Sequence, residues 1–153
     1  MSVEKVKKYL ARYGAENRVL EFSVSSATVA LAAEALDIEP CRIAKTLAFS
    51  VDGKAILVVA AGDVRADKKK YKARFGTAMK MLKKEETESL VGYAVGGICP
   101  FAVNDGVTVY LDESLRRFAT VFPACGSDNS AIELTPDELE KFSQAAAWVD
   151  VCK

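Results

Sequence analysis

Apolar residues in the first quarter of the chain recur three and four positions apart, which is the spacing of one face of an α-helix. This pattern predicts an opening helix over residues 3–13, which Gly14 ends. It also predicts a second helix over residues 25–36, with Ser25 or Ser26 as its N-cap. The second helix is rich in alanine and can therefore pack closely against its neighbours.

Two continuous apolar runs, TLAFSV and KAILVVAA, flank Asp52-Gly53 and predict a β-hairpin. An Asp-Gly pair accepts the positive backbone angles of a type I′ turn. The second run is apolar on both faces, which predicts a central strand. Ahead of the hairpin, Pro40 suits the first turn of a short third helix that delivers Arg42 and Lys45.

Capping signals mark three further helices. Asp67 caps a basic helix that Gly76 ends, and EETESLV forms a short helix closed by Gly92. Thr135-Pro136-Asp137-Glu138 begins the last helix with a capping box. A helical turn is expected over Glu113–Arg117, and short strands are expected at 18–22, 78–82, 107–111, 119–123 and 131–134. Because strands and helices are interspersed, the pattern predicts a mixed α+β fold rather than a regular βαβ array.

Length and composition narrow the class of protein. Residues 1–153 are most simply one domain, large enough to bury a core, and 50% hydrophobic with 27% charged residues is ordinary for a globular protein. No run approaches the roughly 18 apolar residues of a membrane span. The N-terminal MSVEKVKKYL lacks the apolar core of a signal peptide. We therefore expect a cytoplasmic protein with no membrane partner.

The sequence contains no histidine, so the commonest general base of enzymes is missing. Ser-His-Asp triads, Cys-His dyads and histidine-based metal sites are excluded on this ground. The four cysteines, Cys41, Cys99, Cys125 and Cys152, form no CxxC pair, and we expect free, mostly buried thiols in place of a zinc site. Neither a metal nor an organic cofactor is expected.

Charge is balanced over the whole chain but not along it. The 21 basic and 21 acidic residues cancel, yet residues 65–84 read RADKKKYKARFGTAMKMLKK with Asp67 as the only acid. Such a stripe can bind a polyanion, or it can be the solvated face of a helix. The candidates for nucleic-acid contact are Arg65, Lys68, Lys69, Lys70, Lys72 and Arg74, and the run also holds Lys80, Lys83 and Lys84.

Lys45 in RIAKTLAF is an isolated lysine where a short helix meets an apolar strand. Such a lysine commonly extends its ammonium to solvent. Held at the end of a strand, it can instead act as a fixed positive charge for a phosphate or a developing oxyanion. The residues alone leave both interpretations open.

Residues 92–103, GYAVGGICPFAV, set glycines and a proline among apolar residues. Glycine in this setting marks either close packing or a loop whose bare backbone binds a ligand. In the second case Gly96 and Gly97 would offer N–H groups to a carboxyl or ester oxygen, with Pro100 stiffening the turn. Cys99 is either a nucleophile with Lys45 as its activating charge or a small buried residue.

Residues 124–134, ACGSDNSAIEL, have the composition of a turn between two strands. The hydroxyls and the amide of Gly126-Ser127-Asp128-Asn129 could also line a pocket at the end of the sheet.

Taken together, SSATVALAAEAL, RIAKTLAF, GYAVGGICPF and FATVFPACGSDNSAIELTPDEL resemble the YbaK/EbsC group, the domain associated with bacterial prolyl-tRNA synthetases that edits mischarged tRNA. The similarity runs from about residue 16 to residue 145. It implies a free-standing α+β domain around a strongly curved, partly barrel-like mixed sheet flanked by helices.

The resemblance implies hydrolysis of the ester between a wrong amino acid and the terminal ribose of a tRNA, most typically the proline tRNA. The lysine of the family's KT motif matches Lys45, with Thr46 after it, and would hold the tRNA end or the substrate carbonyl. The family's glycine loop matches Gly96-Gly97-Ile98-Cys99-Pro100, whose N–H groups would orient the ester. Family members use no metal and no protein nucleophile, which accords with the missing histidine.

Several positions depart from the family's branches. The alanine-editing branch has an asparagine where this chain has Thr46, and the cysteine-editing branch has a serine and an aspartate where it has Ala124 and Ala131. Cys99 stands where serine is common and Ala102 where glycine is common, whereas Gly126-Ser127 fits uncharacterised members. The amino acid removed is therefore undefined, and a pocket with fewer polar groups is expected to discriminate mainly by size.

The sequence thus predicts a trans-editing aminoacyl-tRNA deacylase, with aminoacylated tRNA as its partner and an aminoacyl-tRNA synthetase as a second candidate partner. The basic run would then contact acceptor-stem phosphates. Two other hypotheses remain. One is a tRNA- or partner-binding module of the same fold without activity, which the retained Lys45 and the complete glycine loop disfavour. The other is a hydrolase of small esters or aminoacylated metabolites that does not need the tRNA body.

Overall fold

A computed structural model describes residues 2–153. It contains five α-helices and seven strands. The helices are Ser2–Leu10 (α1), Val29–Leu36 (α2), Lys68–Phe75 (α3), Lys84–Val91 (α4) and Pro136–Ser143 (α5). The strands are Leu20–Glu21 (β1), Ile43–Val51 (β2), Lys54–Ala61 (β3), Thr108–Asp112 (β4), Phe122–Pro123 (β5), Ser130–Ala131 (β6) and Ala147–Val149 (β7). Short 3₁₀ turns lie at Ala11–Tyr13, Glu16–Arg18, Pro40–Arg42 and Glu113–Arg117.

The hairpin of β2 and β3 is the centre of the larger sheet. Its strand order is β5-β2-β3-β4-β7, so β3 is central, as its apolar sequence predicts. β2 and β3 are antiparallel over eight residue pairs, and the other neighbours are parallel. Asp52 and Gly53, with φ of 51° and 78°, confirm the predicted turn. The five strands curl into a half-barrel with the helices around it, which confirms the mixed α+β fold.

Alternate residues of β3 serve two apolar clusters on opposite faces of the sheet. Leu57 and Val59 join the main core, which also takes in apolar residues of α1 and α5. Ile56 and Val58 join a second cluster together with Tyr71 of α3. The period of two along a strand places these two sets on different faces, so α3 lies on the face opposite the main core.

Local capping signals account for two of the helices. In α3, the carboxylate of Asp67 accepts a hydrogen bond from the N–H of Lys70 at 3.0 Å, and Gly76 ends the helix with φ of 75°. In α5, Thr135 Oγ1 accepts from the N–H of Glu138 at 3.1 Å, and Glu138 accepts from the N–H of Thr135 at 3.0 Å. Both predicted caps are confirmed.

The predicted start of the second helix is wrong. Its N-cap is Thr28, whose Oγ1 accepts from the N–H of Leu31 at 3.1 Å, rather than Ser25 or Ser26. Ser25, Ser26 and Thr28 are all residue types that can cap a helix. Thr28 is the cap because its backbone is extended immediately before the first helical residue. Ser26 therefore lies in the loop before α2.

Several predicted strands are shorter than expected, and one is absent as a strand. Segments 18–22, 119–123 and 131–134 keep only β1, β5 and β6, and 78–82 contributes one isolated bridge between Met81 and Phe49. The segment after Pro40 is a 3₁₀ turn that ends at Arg42, so Lys45 lies within β2. β7 was not predicted. Such short segments acquire strand geometry only where a neighbouring strand lies beside them.

A close backbone contact holds α2 beside the end of the hairpin. Gly62 follows β3, and a Cβ at this position would overlap the carbonyl oxygen of Pro40 and approach Val29 to 2.8 Å. A glycine is therefore required where the Pro40 turn meets β3. This contact places the loop before α2 next to the start of β2.

The ion pair between Arg18 and Glu138 gives a testable pH dependence. Arg18 Nη1 lies 2.7 Å from Glu138 Oε2, and the guanidinium lowers the pKa of Glu138 to about 2. The folded pKa lies below the unfolded value of about 4.3, so the stabilisation is complete above that value and is lost as the pH falls through about 2. We predict that Glu138→Gln, which keeps the cap but removes the charge, is less stable than wild type above about pH 5 and equally stable near pH 2.

Urea unfolding across this pH range measures the difference. Asp137→Asn in the same helical turn removes an exposed acid that makes no ion pair with Arg18, and serves as the matched control. A wild-type advantage over Glu138→Gln that does not change with pH would contradict the role of the ion pair.

Candidate active site

A cavity of about 280 Å³ opens beside the first half of β2. Its walls are built by the loop before α2, by β2 itself, by residues 81–82 and by the glycine loop at 95–98, with Ala124 and β6 closing one side. The wall includes Ser26, Lys45, Thr46, Met81, Gly96 and Ile98. The structure therefore brings together three of the segments that the sequence singles out.

The cavity is a gap along the outer edge of β2. At one end of the gap Ala44 pairs with Pro123 of β5, and at the other the carbonyl of Ala48 accepts from the N–H of Leu82 at 3.1 Å. Thr46 lies between these two points, and within the described chain no strand pairs with it on this side. An unpaired strand edge offers main-chain donors and acceptors to a ligand.

Lys45 is half-buried at the cavity wall. Its ammonium donates a hydrogen bond to the carbonyl oxygen of Val64. Burial lowers the pKa of Lys45, and the neighbouring positive charge of Arg65 lowers it further. In residues 2–153 no carboxylate lies within ion-pair distance of this ammonium, and its hydrogen-bond acceptor is the Val64 carbonyl.

Part of the glycine loop faces the cavity. Gly96, with φ of 100°, and Ile98 line the wall. The N–H of Gly97 donates to the carbonyl of Ala94 at 3.1 Å, whereas those of Gly96 and Ile98 have no acceptor among the residues described. Within the described chain, the N–H groups of this part of the loop without a protein acceptor are thus those of Gly96 and Ile98. A role for the Gly97 N–H at the ester would require the bond to Ala94 to break.

Gly97 itself is a packing residue. A Cβ on Gly97 would lie 3.0 Å from Ser127 Cα and 3.1 Å from the carbonyl oxygen of Gly126. Ser127 is held in a turn in which its hydroxyl lies 2.9 Å from Asn129 Oδ1 and 2.7 Å from Ser130 Oγ. Gly126 and Ser127 therefore support the glycine loop from behind, and the structure does not place them on the cavity wall.

Cys99 and Pro100 also lie away from the cavity. Cys99 is completely buried in the main core, and burial raises the pKa of its thiol to about 12. A thiol with this pKa stays protonated at neutral pH, which argues against the nucleophile hypothesis. Pro100 lines a separate cavity of about 220 Å³ beside Ala102. The φ of 51° at Ala102 is in the left-handed region, which glycine adopts more readily than alanine.

The basic residues of α3 lie on the face of the sheet opposite the main core. Lys68, Lys69 and Lys72 are exposed on this helix, whose buried Tyr71 packs into the second cluster. Lys70 is bound within the fold, with its Nζ 2.9 Å from Asp150 Oδ1. The guanidinium of Arg74 lies 5.5 Å from the ring centre of Tyr110.

Other cations of the same run lie next to the cavity. Arg65 follows Val64, whose carbonyl binds Lys45. Lys80 and Lys83 flank the pair Met81 and Leu82, which lines the cavity, and all three lysines from Lys80 to Lys84 are exposed. The sequence places Arg65 and these three lysines in one basic run, with Arg65 among the candidates for nucleic-acid contact. The pairing of 80–82 with β2 is the structural fact that brings these lysines to the cavity.

Two features of the wall bear on the departures noted in the sequence. Ala124 and Ala131, which stand where the cysteine-editing branch has a serine and an aspartate, both line the cavity. Ser26 also lines it and was assigned to the start of a helix in the sequence prediction, so its place at the site was missed.

All four cysteines are free thiols. Within residues 2–153, no group of three or more Cys, Asp or Glu side chains could hold a metal ion. Over the same residues, every helix is too short or too polar to cross a bilayer.

A small α+β half-barrel with a gap of this size beside the β2–β3 hairpin belongs to a class of folds that can bind a small ligand. Within this class, the model of the aminoacyl-tRNA editing domain matches residues 24–142. The chain belongs to this family.

Relatives of known sequence point the same way. The uncharacterized protein YwhH of Bacillus subtilis (strain 168) is 50% identical over 154 residues, which cover 100% of this chain and 98% of YwhH. A proline–tRNA ligase of Geobacillus thermodenitrificans is 33% identical over 123 residues, which cover 78% of this chain but only 21% of the ligase. The chain therefore corresponds to about a fifth of that ligase.

Solved structures share the whole fold. A crystal structure provisionally assigned as a trans-editing enzyme for prolyl tRNA synthetase superposes with a TM-score of 0.89 and 30% identity, covering 99% of this chain and 97% of that one. The hypothetical protein APE2540 superposes with a TM-score of 0.86 and 29% identity, covering 97% and 99%.

The contact between the glycine loop and the turn behind it can be tested by Gly97→Ala. The added Cβ must push Gly126 and Ser127 away, which we expect to lower the free energy of unfolding by about 1–3 kcal/mol. Urea unfolding measures this change. Gly106→Ala is the control, because Gly106 has φ of 89° and nothing within 4 Å of its Cβ position, so that variant reports backbone strain alone. A Gly97→Ala protein as stable as wild type would show that the two loops are not in close contact.

Proposed function

We propose that this protein is a trans-editing aminoacyl-tRNA deacylase that hydrolyses the ester of a mischarged tRNA, with the proline tRNA as its tRNA. The observation that carries the proposal is the gap beside β2, where Lys45 and two residues with unbonded N–H groups, Gly96 and Ile98, line one cavity in a chain of the editing family. These groups suit the carbonyl oxygen of an ester, which becomes negatively charged as the bond breaks.

The choice of tRNA is supported by the relatives. One is a proline–tRNA ligase, and one structural neighbour is provisionally named for a trans-editing role toward prolyl tRNA synthetase. The synthetase that charges the tRNA is accordingly the second partner that we propose.

The proposed reaction needs no side-chain base. A water attacks the ester carbonyl carbon, its proton passes by way of the neighbouring ribose hydroxyl to the departing ribose oxygen, and the products are a free amino acid and a tRNA with an intact terminal diol. Lys45 and the N–H groups of Gly96 and Ile98 would stabilise the negative charge on the carbonyl oxygen. Among the described wall residues there is no acid and no cysteine, so positioning and charge stabilisation supply the rate enhancement.

We assign the contact with acceptor-end phosphates to the cations that lie beside the cavity. These are Arg65 and the lysines that flank the 81–82 wall, namely Lys80, Lys83 and Lys84. The exposed lysines of α3 lie on the face of the sheet opposite the main core and do not flank a wall segment, so we assign them more distant phosphates. Phosphate contacts position a nucleic acid without reading its sequence, so the reacting ester would be located by these cations and recognised inside the cavity.

The role of Lys45 is tested by Lys45→Met, which keeps most of the apolar stem and removes the charge. We predict a loss of about 10²–10³-fold in the single-turnover rate of deacylation. The same variant should be at least as stable as wild type at neutral pH, because burial disfavours the charged form of Lys45. Rates are followed as loss of labelled aminoacyl-tRNA, and stability is followed by urea unfolding.

Lys54→Met is the matched control, since Lys54 is an exposed lysine at the far end of the same hairpin. Deacylation by Lys45→Met at the wild-type rate would remove Lys45 from the mechanism. Binding of tRNA by the wild type without hydrolysis of any aminoacyl ester would instead favour a binding module without activity.

The tRNA-binding surface is tested by two triple variants with the same change of charge. We predict that Lys80/Lys83/Lys84→Gln weakens tRNA binding strongly and reduces the salt slope of log K by about 2, whereas Lys68/Lys69/Lys72→Gln has a smaller effect. Filter binding at several salt concentrations measures both. The reverse order would assign the main contact to α3. Unchanged hydrolysis of aminoacyl-tRNA by both variants would indicate a hydrolase that does not need the tRNA body.

A further inference from the structure

The cavity wall contains five side-chain hydroxyls, and the fold uses three of them. Thr28 Oγ1 accepts from the N–H of Leu31 at 3.1 Å as the cap of α2. Thr87 Oγ1 donates to the carbonyl of Lys83 at 2.8 Å within α4. Ser130 Oγ lies 2.7 Å from Ser127 Oγ. These three hydroxyls have a structural explanation.

The other two hydroxyls, on Ser26 and Thr46, have no such structural explanation. Both oxygens are buried, and neither has a hydrogen-bond partner in the part of the chain that is described. Leaving a buried hydroxyl unpaired costs about 1–3 kcal/mol, and native proteins rarely tolerate it without a reason. Two such groups in the wall of one cavity point to a ligand that pairs with them.

Thr46 and Ser26 belong to different walls of the same cavity. Thr46 shares its face of β2 with Ala44 and Ala48, which also line the cavity. Ser26 belongs to the loop before α2, where its N–H donates to the carbonyl of Asp128 at 2.5 Å. That bond uses the backbone of Ser26 and leaves its hydroxyl without a partner in the described chain.

The rest of the wall decides what kind of group can pair with them. No described residue of the wall carries a negative charge, and the only charged side chain is Lys45. Apart from the hydroxyls, the wall is mostly aliphatic, with Val29, Ile43 and Val95 among its members. A small neutral polar group fits this environment, because a second ammonium would meet no carboxylate and a purely apolar group would leave both hydroxyls unpaired.

We propose that Ser26 and Thr46 are specificity-determining residues that hydrogen-bond the side chain of the aminoacyl group, and that the preferred substrate carries serine or threonine. This inference rests on the proposed deacylase function and deepens it. A hydroxyl both donates and accepts, so one such group on the substrate can satisfy both protein oxygens. Alanine offers neither interaction, and a thiol is a weak partner. The cavity would therefore select by hydrogen bonding as well as by size.

The test compares single-turnover deacylation of one proline tRNA carrying serine, threonine, alanine or cysteine. Wild type should hydrolyse the seryl ester at least about tenfold faster than the alanyl ester. Thr46→Val and Ser26→Ala should each lower the rate on the seryl ester about tenfold and change the rate on the alanyl ester little, so the ratio of the two falls. Thr46→Ser, which keeps the hydroxyl, should retain the wild-type ratio of the seryl to the alanyl rate.

Stability separates a ligand-binding role from a structural one. Thr46→Val and Ser26→Ala should leave the urea midpoint unchanged or raise it, because each removes a buried unpaired oxygen. Ser143→Ala is the control for Ser26→Ala, since Ser143 is a buried serine outside this cavity whose hydroxyl donates to the carbonyl of Glu140. We expect it to leave the seryl-to-alanyl ratio at the wild-type value.

Three outcomes would overturn the proposal in distinguishable ways. A wild type that hydrolyses alanyl or cysteinyl esters faster than seryl esters would refute the specificity but leave the deacylase function standing. A seryl-to-alanyl ratio that survives both Thr46→Val and Ser26→Ala would show that these residues do not set it. Hydrolysis of none of the four esters would refute the proposed function itself.

Discussion

The candidate site depends on the incomplete pairing of the outer edge of β2. β2 is fully paired with β3 on its inner side, but its outer side has β5 beside Ala44 and residues 80–82 beside Ala48 and Ser50. The position between them, at Thr46, is left open. The eight residue pairs with β3 hold β2 in place along this gap. The loop before α2 and the glycine loop close over it and convert an open edge into a cavity.

Much of the fold could be predicted because its signals are local. The Asp52-Gly53 turn, the Asp67 cap and the capping box of α5 each depend on a few adjacent residues, and each is confirmed. The elements that were missed or given wrong limits depend on distant neighbours. β7 exists because it lies beside β4, and 78–82 is not a strand because it meets β2 at a single bridge. Propensity does not carry this information.

The site shows the same division. Lys45, Thr46 and Gly96 line the cavity because one motif lies on β2 and the other on the loop beside it, but their roles in the site stay a prediction. Cys99 is three residues from Gly96 yet faces the core, since a loop turns its side chains in directions that sequence order does not show. Ser26 could have been found only by recognising Thr28 as the cap, which leaves the preceding serine in a loop.

The mostly apolar wall links the proposed chemistry to the proposed selectivity. Removal of Lys45 from water strengthens the field of its ammonium on any oxygen in the cavity, and so raises its value to a developing negative charge. The same exclusion of water makes each unpaired hydroxyl costly, so Ser26 and Thr46 favour a substrate that can satisfy them. A histidine or a carboxylate in the wall would bring its own solvation demand and weaken both effects. In the proposed reaction, a site without a side-chain base can therefore combine rate enhancement with discrimination, provided that the substrate supplies the reacting hydroxyl or water.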